Sequence, residues 1–353
     1  MDIQNFKKEF DSHLESFLAQ KIAQFKNYTK DPFILETIAY PLVLIRAGGK
    51  RIRPYLAYLA YKNAGGRDDE GAMRLFAALE IFHLFALVHD DIIDRSAERH
   101  GILTTHKFVV ARLKKEARSG DHGHIANSIA ILVGDLLFAW SVELLTRAKD
   151  FGKDELDRAL AHYYRMTDQV LTGQLIDVDT TTRRRASEGL IEEKMFLKSA
   201  SYSFVSPLKI GTALAGGTAE MEKFCDEFGR ALGLAFQIQD DLHDLTLPPK
   251  DQHTPSFTDL REHQHTLFTQ YIFENGKPTQ KEQLDKLLGS PVSESDRGKV
   301  LLLFTDSGAI EYGTRTMEKY FKKSEKLLEK SPIDDGVREK FTALINFIRA
   351  RTS

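Results

Sequence analysis

Two short acidic clusters have the residue types and spacing that point most directly to chemistry. Each cluster has the pattern Asp-Asp-x-x-Asp, once in the string HDDIID and once in QDDLHD. The six aspartates are Asp90, Asp91, Asp94, Asp240, Asp241 and Asp244. On a helix, residues four apart lie one turn above each other and project from the same face. Each cluster then directs like charges at one place, which is unfavourable unless a cation or a basic partner lies there.

The ligand atoms of these clusters predict a hard cation that prefers oxygen. The chain has a single cysteine, and Mg²⁺ is usually bound by a few carboxylates together with waters and substrate phosphates. Apolar residues precede both clusters, at 84–88 and at 232–238, which argues that the carboxylates lie at the ends of buried helices. A solvated acidic face is the alternative, and finding the same spacing twice weakens it. We therefore predict Mg²⁺ sites that also bind a diphosphate.

A glycine-rich basic string near the N-terminus suits the same kind of anion. In GGKRIRP, at 48–54, two glycines are followed by three basic residues within four positions. Glycine lets the backbone approach a ligand closely, and the planar fork of arginine binds two phosphate oxygens at once. Basic turns are common on solvated surfaces, so this string indicates phosphate binding only in combination with the acidic clusters.

Helices must position these residues, because apolar side chains recur with helical spacing along nearly the whole chain. One apolar stripe comprises Phe6, Phe10, Leu14, Phe17 and Leu18. The segment 75–88 is apolar on most sides, which predicts a buried central helix. No run alternates as strands joined by hairpin turns do, so we predict an all-α fold. Glycine pairs at 65–66 and 216–217 and a proline-rich loop at 247–258 are breaks rather than long linkers, and we expect one domain over 1–353.

Composition and charge exclude several classes of protein. The chain has 49 basic and 51 acidic residues and a formal net charge of −2, which argues against a general nucleic-acid binder. Its single cysteine, Cys225, cannot form an intramolecular disulfide and fits a reducing compartment. The N-terminus lacks the pattern of a signal peptide. The strongest apolar run, 129–140, is short and contains Asp135, so we predict no membrane span and a cytoplasmic protein.

Taken in order along the chain, these strings resemble the trans-prenyl diphosphate synthases of the polyprenyl synthetase family. The matching strings are GGKRIRP at 48–54, EIFHLFALVHDDIID at 80–94, GDLLF at 134–138, TGQLID at 172–177, KSASYSFVSPLKIG at 198–211, FQIQDDLHD at 236–244 and SGAIEYG at 307–313. The resemblance implies an isoprenoid-synthase-type helical bundle around a deep central cavity, with both aspartate motifs at its mouth. It also implies a homodimer.

The resemblance implies a Mg²⁺-dependent condensation of isopentenyl diphosphate with an allylic diphosphate. The metal ions would be bound by Asp90, Asp94 and Asp240. The carboxylates expected to support them, directly or through water, are Asp91, Asp177, Asp241 and Asp244. Loss of the allylic diphosphate would leave a carbocation that the double bond of isopentenyl diphosphate attacks. The departing diphosphate would then accept the proton, while the apolar cavity excludes water.

Substrate-binding roles also carry over by matching positions. Isopentenyl diphosphate would be bound by Lys50, Arg53 and His83, and the allylic diphosphate by Arg99, which matches the first arginine of the family's RRG. Lys198 and Ser199 match a Lys-Thr pair near the scissile bond. The residues expected to line the reacting part of the site are Gln174, from the GQ motif, and Phe236 and Gln237, from the FQ pair.

Product length should depend on the aromatic residues that precede the first aspartate motif. Phe85 lies five residues before Asp90, and Phe82 lies eight before it. On a helix both rings point roughly the same way, below the metal site. Because bulky rings there should stop elongation early, we predict a C15 to C20 product, geranylgeranyl ahead of farnesyl diphosphate.

The sequence departs from the family at diphosphate-binding positions. The RRG string reads Arg99-His100-Gly101, so a histidine, only partly charged at neutral pH, replaces the arginine expected to contact isopentenyl diphosphate. Many relatives also have a GK pair and then DLREGK-T after the second aspartate motif, whereas 254–266 here lacks both lysines. Lys250 is nearby but not aligned. We expect weaker diphosphate binding, partly compensated by His263 and His265, and a dependence of activity on pH.

Two other functions remain open from the sequence. A class I terpene cyclase shares the fold and one DDxxD motif, but the GGKRIRP string and the second DDxxD argue against it. A non-catalytic or regulatory subunit of a prenyl synthase complex would fit the altered basic residues. The retention of six like charges in two complete aspartate motifs argues against that reading.

Overall fold

The computed structural model describes residues 1–247, 257–331 and 333–351. In this part of the chain the predicted all-α fold is confirmed: regular structure consists of helices, apart from one pair of two-residue strands. Most of the proline-rich loop predicted at 247–258 lies outside the described residues, as does Lys250.

The chain divides into two compact units. The first comprises residues 1–58 and 67–156, and the second comprises residues 59–66 and 157–353. The expectation of one domain over 1–353 stays a prediction.

The first unit is built around a central helix. Its elements are α1 (Ile3–Phe25), α2 (Pro32–Ala47), the first half of α3 (Ile52–Asn63), α4 (Asp69–Ile93), β1 (Glu98–Arg99), β2 (Ile102–Leu103), α5 (Thr105–Lys115) and α6 (His122–Thr146). Helix α4 packs against α1, α5 and α6. Four of the five residues of the predicted stripe on α1, Phe6, Phe10, Leu14 and Leu18, are fully inaccessible to solvent, whereas Phe17 is half-buried.

Local sequence explains why α4 begins and lies where it does. The Asp68 carboxylate accepts the backbone N–H of Gly71 at 2.9 Å and so caps the helix. Asp69 and Glu70 follow in the first turn, where negative charge is favourable. The rest of the helix is mostly buried, as the apolar sequence of 75–88 predicts. The aspartate motif falls at its C-terminal end.

The second unit is also helical. Its elements are the end of α3, α7 (Lys153–Thr181), α8 (Glu188–Met195), a π-helix (Phe196–Val205), α9 (Ser206–Leu214), α10 (Ala219–Thr246), α11 (Thr258–Arg261), α12 (Leu267–Asn275), α13 (Pro278–Leu287), a 3₁₀ turn (Glu294–Asp296), α14 (Arg297–Asp306), α15 (Ala309–Glu329) and α16 (Asp335–Arg349). Helix α10 packs against α15 and the π-helix, and the second aspartate motif falls near its C-terminal end.

Two described helices, α4 and α6, are long and apolar enough to cross a bilayer by length and composition alone. The most apolar stretch of α4 is 78% buried and that of α6 is 39% buried. The apolar run at 129–140 belongs to a longer helix of 25 residues, so its own length does not exclude a span. A buried core helix of a soluble protein passes the same test, so α4 and α6 are weak evidence for a membrane span.

Candidate active site

The glycine-rich basic string forms a tight turn between α2 and α3. Gly49 has φ 114° and Arg51 has φ 54°, both in the left-handed region. The Arg51 side chain is buried and folds back beneath the turn, where it donates to the backbone oxygens of Ile45 (2.8 Å) and Gly48 (3.0 Å). It also forms ion pairs with Asp11 at 2.7 Å and with Glu80 at 3.0 Å. Arg51 therefore shapes the loop, and its charge is already paired.

The altered RRG string lies in a small β-hairpin that the sequence did not predict. Strands β1 and β2 pair antiparallel, with Arg99 opposite Ile102. The two residues between them, His100 and Gly101, have φ 51° and φ 76°, as a two-residue hairpin turn of type I′ requires. Two contacts of Thr104 close the base of the hairpin, a backbone hydrogen bond to Ala97 and a hydroxyl hydrogen bond to Ser96.

The hairpin brings His100 against the glycine-rich turn. A Cβ atom added to Gly48 would lie 2.9 Å from the His100 ring, so only glycine leaves room for the ring at this place. Together these segments line a cleft that also includes His83 and Arg99. The first unit thus gathers three of the predicted substrate-binding side chains around the backbone of the glycine-rich turn.

The electrostatics of the cleft favour an anion. Loss of hydration lowers the pKa of His83 well below its usual value, and the positive charges of Arg53 and Arg99 lower it further. The neutral imidazole can still donate one hydrogen bond. The nearby arginines therefore act on His83 as positive charges, although Arg51 and Arg99 are also paired with Glu80 and Asp91.

The first aspartate motif ends α4, and its middle carboxylate holds Arg99. Asp91 is 1% exposed, and its Oδ1 accepts from Arg99 Nη2 at 2.7 Å. Burial raises the pKa of Asp91, while the Arg99 charge opposes that shift. Asp94 follows the last helical residue, and its backbone N–H donates to the carbonyl of Asp90 at 2.8 Å. Asp91 therefore orients Arg99, whereas metal binding by Asp90, Asp91 and Asp94 stays a prediction.

Aromatic rings fill the space behind this motif. Phe82 and Phe85 pack edge to face at 5.3 Å between ring centroids. Phe138, from the GDLLF string on α6, lies 6.2 Å from Phe82 and 5.3 Å from Phe85. Both predicted chain-length residues are thus neighbours, and the sequence analysis missed the third ring of the cluster.

His89, which precedes the motif, packs tightly across to α6. Its Nε2 lies 3.0 Å from the backbone oxygen of Ile131, so this nitrogen carries the proton and donates. A Cβ atom on Gly134 would come within 2.1 Å of the same nitrogen. The glycine of GDLLF is therefore required for α6 to approach the first aspartate motif.

In the second aspartate motif each carboxylate has a different neighbour. Asp240 Oδ1 accepts from Arg351 Nη2 at 2.5 Å, and Asp241 Oδ1 accepts from Gln237 Nε2 at 2.7 Å. Asp244 accepts the backbone N–H groups of Thr258 at 2.9 Å and Asp259 at 3.1 Å. Asp244 thereby fixes the start of α11, the short helix that begins at Thr258.

The carboxylates of this region are suited to a cation. Burial and repulsion from Asp259 together raise the pKa of Asp244 to about 8, and burial is the main reason that the pKa of Asp259 is raised to about 6. Asp241 shifts in the same direction for the same reasons. These groups also lie near the negative end of the α10 dipole. Such crowding of oxygen ligands fits Mg²⁺ or a similar hard ion.

Among the described residues, no three His, Cys, Asp or Glu side chains are arranged to hold a metal ion by themselves. This agrees with the usual coordination of Mg²⁺, which keeps several waters and relies on substrate phosphates for further ligands. Metal binding at either motif would therefore need waters and a diphosphate as further ligands, and it stays a prediction.

The Lys-Ser pair lies in a π-helix, a geometry that often marks functional sites. Lys198 Nζ contacts Asp177 Oδ2 at 2.5 Å. Gly173 of the GQ string permits this approach, because a Cβ there would lie 2.4 Å from the backbone nitrogen of Lys198. Ser199 is the next residue along the π-helix. Gln174 follows Gly173, and its Nε2 is buried with no hydrogen-bond partner among the described residues.

Asp177 is paired with two lysines. Its Oδ1 lies 3.0 Å from the ammonium of Lys194, a residue that the sequence analysis missed. Burial alone would raise the pKa of Asp177, but Lys198 and Lys194 outweigh burial and lower it to about 2. Asp177 is therefore a permanent anion that anchors two cations. That Asp177 also supports the metal ions stays a prediction.

The loop that lacks the family's lysines packs against the same group. Gln264 Nε2 donates to Asp177 Oδ2 at 3.2 Å, and His265 Nε2 donates to the backbone oxygen of Arg183 at 2.9 Å. Burial lowers the pKa of His265, so this ring is mostly neutral at pH 7. The expectation that His265 compensates as a cation is therefore wrong, because the ring is desolvated.

Arg351 is a further residue that the sequence analysis missed. It contacts Asp240, and its guanidinium carbon lies 3.9 Å from the centroid of the Phe236 ring. It thus touches two predicted site residues from beyond the end of α16. No string around it carried a signal, whereas Phe138 could have been found from the matched GDLLF string.

Comparison with known proteins gives a consistent family. The sequence model of the polyprenyl synthetase family matches residues 35–302. A geranylfarnesyl diphosphate synthase from Aeropyrum pernix is 31% identical over 322 residues, which cover 88% of this chain and 92% of that protein. A geranylgeranyl diphosphate synthase from Sulfolobus acidocaldarius is 30% identical over 281 residues, 79% of each chain.

Solved structures agree with the sequence comparisons. A geranylgeranyl pyrophosphate synthase from Corynebacterium glutamicum, complexed with isoprenyl diphosphate and magnesium, has a TM-score of 0.94 and 26% identity. The similarity covers 99% of this chain and 100% of that one. A geranylgeranyl pyrophosphate synthetase from Pyrococcus horikoshii has a TM-score of 0.77 and 27% identity, covering 98% and 99% of the two chains.

Proposed function

Because the chain belongs to the polyprenyl synthetase family and is a prenyl diphosphate synthase, we propose that it joins isopentenyl diphosphate to an allylic diphosphate and releases a C20 product. The relatives that support this make geranylgeranyl or geranylfarnesyl diphosphate, by their names. Neither a class I cyclase nor a non-catalytic subunit is favoured by these comparisons.

The observation that carries the proposal is the cleft of the first unit. The cleft combines the backbone of Gly48 and Gly49 with the side chains of His83, Arg99 and His100. A diphosphate needs hydrogen-bond donors and positive charge from several directions. Isopentenyl diphosphate binds here, with Lys50 and Arg53 of the adjacent turn supplying further charge. A neutral His83 donates one hydrogen bond to a phosphate oxygen.

The aspartate motifs serve the other substrate. These carboxylates would hold Mg²⁺, which would supply positive charge that neutralises the diphosphate of the allylic substrate and favours its departure. Asp91 holds the Arg99 guanidinium in place, and Arg99 binds the same diphosphate. The motif residues that bind the ions most directly are Asp90, Asp94 and Asp240.

The second unit assists departure of the leaving group. Lys198, aligned by the buried anion Asp177, brings an ammonium to the developing negative charge. Ser199 and Gln174 donate to oxygens near the breaking carbon–oxygen bond. Phe236 and Gln237 flank the allylic carbons. The double bond of isopentenyl diphosphate then forms the new carbon–carbon bond, and a proton passes to the released diphosphate.

Product length is limited by the rings behind the first motif. Phe82, Phe85 and Phe138 form a continuous aromatic cluster. A growing prenyl chain that meets these rings cannot extend without displacing them, and displacing a packed ring costs several kcal/mol at the order-of-magnitude level. This supports a C20 rather than a longer product.

The exposed apolar residues of α6 and α7 support a homodimer. Leu132 on α6 is 62% exposed, and Leu175 on α7 is 72% exposed. On α7, Tyr164, Leu171 and Val178 continue the same helical stripe. A second copy of the chain covers such stripes better than water does. We place this dimer in the cytoplasm, where both diphosphate substrates are available in solution.

The test is an incubation of purified protein with labelled isopentenyl diphosphate, Mg²⁺ and, in turn, C5, C10 and C15 allylic diphosphates. A C20 alcohol after dephosphorylation, absent with chelator and with Asp90→Asn, supports the proposal. Asp154→Asn, an exposed aspartate on α7, is the matched control and should keep full activity. A cyclic hydrocarbon formed without isopentenyl diphosphate would indicate a cyclase. Diphosphate binding without any product would indicate a non-catalytic partner.

A further inference from the structure

A buried lysine at the centre of the second unit belongs to none of the matched strings. Lys194 is 8% exposed and lies on α8, one turn before Lys198. Its ammonium pairs with Asp177 Oδ1 at 3.0 Å. It also donates to the backbone oxygen of His265 at 2.9 Å and to Gln264 Oε1 at 3.2 Å. All three donors of the ammonium are therefore used.

These contacts tie together three separate segments of the chain. Asp177 lies on α7, Lys194 lies on α8, and residues 264–265 belong to the loop that follows α11. The hydrogen bond between Lys194 and Gln264 joins residues 70 positions apart. A charged hydrogen bond of this kind is stronger and more directional than a neutral one, so it can fix the loop against both helices.

The same hydrogen-bond network, through Asp177, also includes Lys198. The second oxygen of Asp177 accepts from Lys198 at 2.5 Å and from Gln264 at 3.2 Å. Lys194 and Lys198 thus hold opposite oxygens of one carboxylate. If the carboxylate rotates or its loop contact is lost, the ammonium of Lys198 moves with it.

Position 264 is also where the resemblance leads us to expect a lysine. The string DLREHQ replaces DLREGK at 259–264, and a glutamine there brings no charge. The Gln264 side chain accepts from Lys194. The missing cation is therefore present at the same place, but it comes from α8 instead of from the loop.

We propose that Lys194 is a positioning residue for prenyl transfer, which supplies from α8 the cation that the loop lacks and holds Asp177 so that Lys198 is directed at the leaving diphosphate. The inference rests on the proposed function for the role of Lys198. It adds Lys194 to the site and makes the position of Lys198 depend on Lys194 through Asp177, which the resemblance does not imply.

The decisive experiment removes the lysine at position 194 and places a lysine at position 264 of the loop. Lys194→Met should lower kcat by about 10- to 100-fold, the usual penalty for a reacting group displaced by about 1 Å, with little change in the KM for isopentenyl diphosphate. The double variant Lys194→Met/Gln264→Lys should recover most of the lost kcat. A lysine at 264 can reach Asp177, because the Gln264 amide nitrogen already lies 3.2 Å from that carboxylate.

Lys209→Met is the matched control. Lys209 is equally buried at 8% exposure and pairs with Asp226 at 2.9 Å on a different face of the same unit. It should lower thermal stability without lowering kcat. Amide hydrogen exchange gives a readout that does not need activity: Lys194→Met should expose residues 262–266 to exchange, and Lys209→Met should not.

The outcomes distinguish failure of the positioning role from failure of the proposed function. Wild-type activity together with a normal kcat for Lys194→Met overturns the proposal, as does a double variant that folds but recovers nothing. If Lys194→Met does not fold, the double variant decides the question. Activity in the double variant would show that a lysine at 264 can replace the charge of Lys194, and a folded but inactive double variant would overturn the proposal. A wild-type protein without activity contradicts the proposed function, and unchanged exchange at 262–266 would then still overturn the positioning role.

Discussion

The Arg351 guanidinium donates to Asp240 Oδ1 at 2.5 Å and lies over the Phe236 ring at 3.9 Å. The arginine side chain is 6% exposed, whereas that of the aspartate is 40% exposed. Arg351 thus pairs with the carboxylate that we expect to bind Mg²⁺. Mg²⁺ bound at Asp240, as proposed, would compete with Arg351 for the same oxygen.

We therefore expect Arg351→Gln to bind Mg²⁺ more tightly than the wild type and to unfold at a lower temperature when metal is absent. Titration calorimetry with Mg²⁺ and a thermal melt in chelator measure the two effects. Arg349→Gln is the control, because Arg349 pairs with Glu325 at 2.8 Å instead. Unchanged metal affinity in Arg351→Gln would show that the contact does not compete with metal.

Removing a ring from the aromatic cluster should lengthen the product. Phe85→Ala opens the space that Phe82 and Phe138 border, and we expect products longer than C20 at the expense of the C20 product. Chromatography of dephosphorylated products gives the distribution. Phe76→Leu, at an equally buried site on the same helix, should lower stability and leave the distribution unchanged. The same distribution for Phe85→Ala would contradict the role of this ring.

Gly48 tests the place of His100 in the cleft. Its backbone is extended, with φ 174°, so alanine is tolerated conformationally and acts only through its methyl group. That methyl would displace the His100 ring. We expect Gly48→Ala to raise the KM for isopentenyl diphosphate several-fold and to leave the KM for the allylic substrate nearly unchanged. Gly189→Ala, where the added carbon meets nothing within 4 Å, is the control.

Acid should destabilise the first unit through His106. Burial lowers the pKa of His106 to about 4, below its unfolded value of about 6.5. A group with a depressed folded pKa contributes stability that is complete above pH 6.5 and is lost as the pH falls towards 4. Between pH 7 and pH 5 this loss is on the order of 1 to 2 kcal/mol, allowing for solvent screening.

Urea unfolding of the wild type and His106→Asn at the two pH values measures this loss. The wild type should lose more free energy of unfolding than the variant does. His124→Gln, an exposed histidine on α6, should behave as the wild type. Equal losses for the wild type and His106→Asn would remove His106 as the cause.

The apolar stripe on α7 predicts an oligomer that one charge can disrupt. Leu175→Asp should convert the dimer to a monomer, because it would bury an unpaired carboxylate in the interface. Light scattering coupled to size-exclusion chromatography gives the mass directly. Leu302→Asp, at a leucine that is 60% exposed in the same unit, should stay dimeric. A wild-type monomer would contradict the interface itself.

Local patterns predicted the features that depend on local contacts. Helical periodicity predicted the mostly buried stripe of α1 and the central position of α4, and the apolar residues before each aspartate motif predicted that the motifs lie at helix ends. The glycines of three matched strings, Gly48, Gly134 and Gly173, proved to lie where another residue's atoms leave no space for a Cβ.

Long-range contacts could not be predicted in the same way. Arg351 and Asp240 are 111 positions apart, and nothing in either local sequence indicates the other. Lys194 reads as an ordinary helical lysine, because its partners come from α7 and a distant loop. The hairpin at 98–103 is too short for a strand pattern, and only its His-Gly turn hints at it. The π-helix has no compositional signal.

The π-helix is held by glycines on two sides. Gly173 on α7 meets the backbone at Lys198, and Gly233 and Gly229 on α10 would meet Ala200 and Val205 within 3.0 Å if they had a Cβ. Main chain lies directly on main chain at each point. Any larger residue at these glycines would force the backbones apart. Few single substitutions there could therefore shift Lys198 without disturbing the packing of the helices. Substitutions that change specificity should therefore be tolerated better among the side chains of the first unit than at these three glycines.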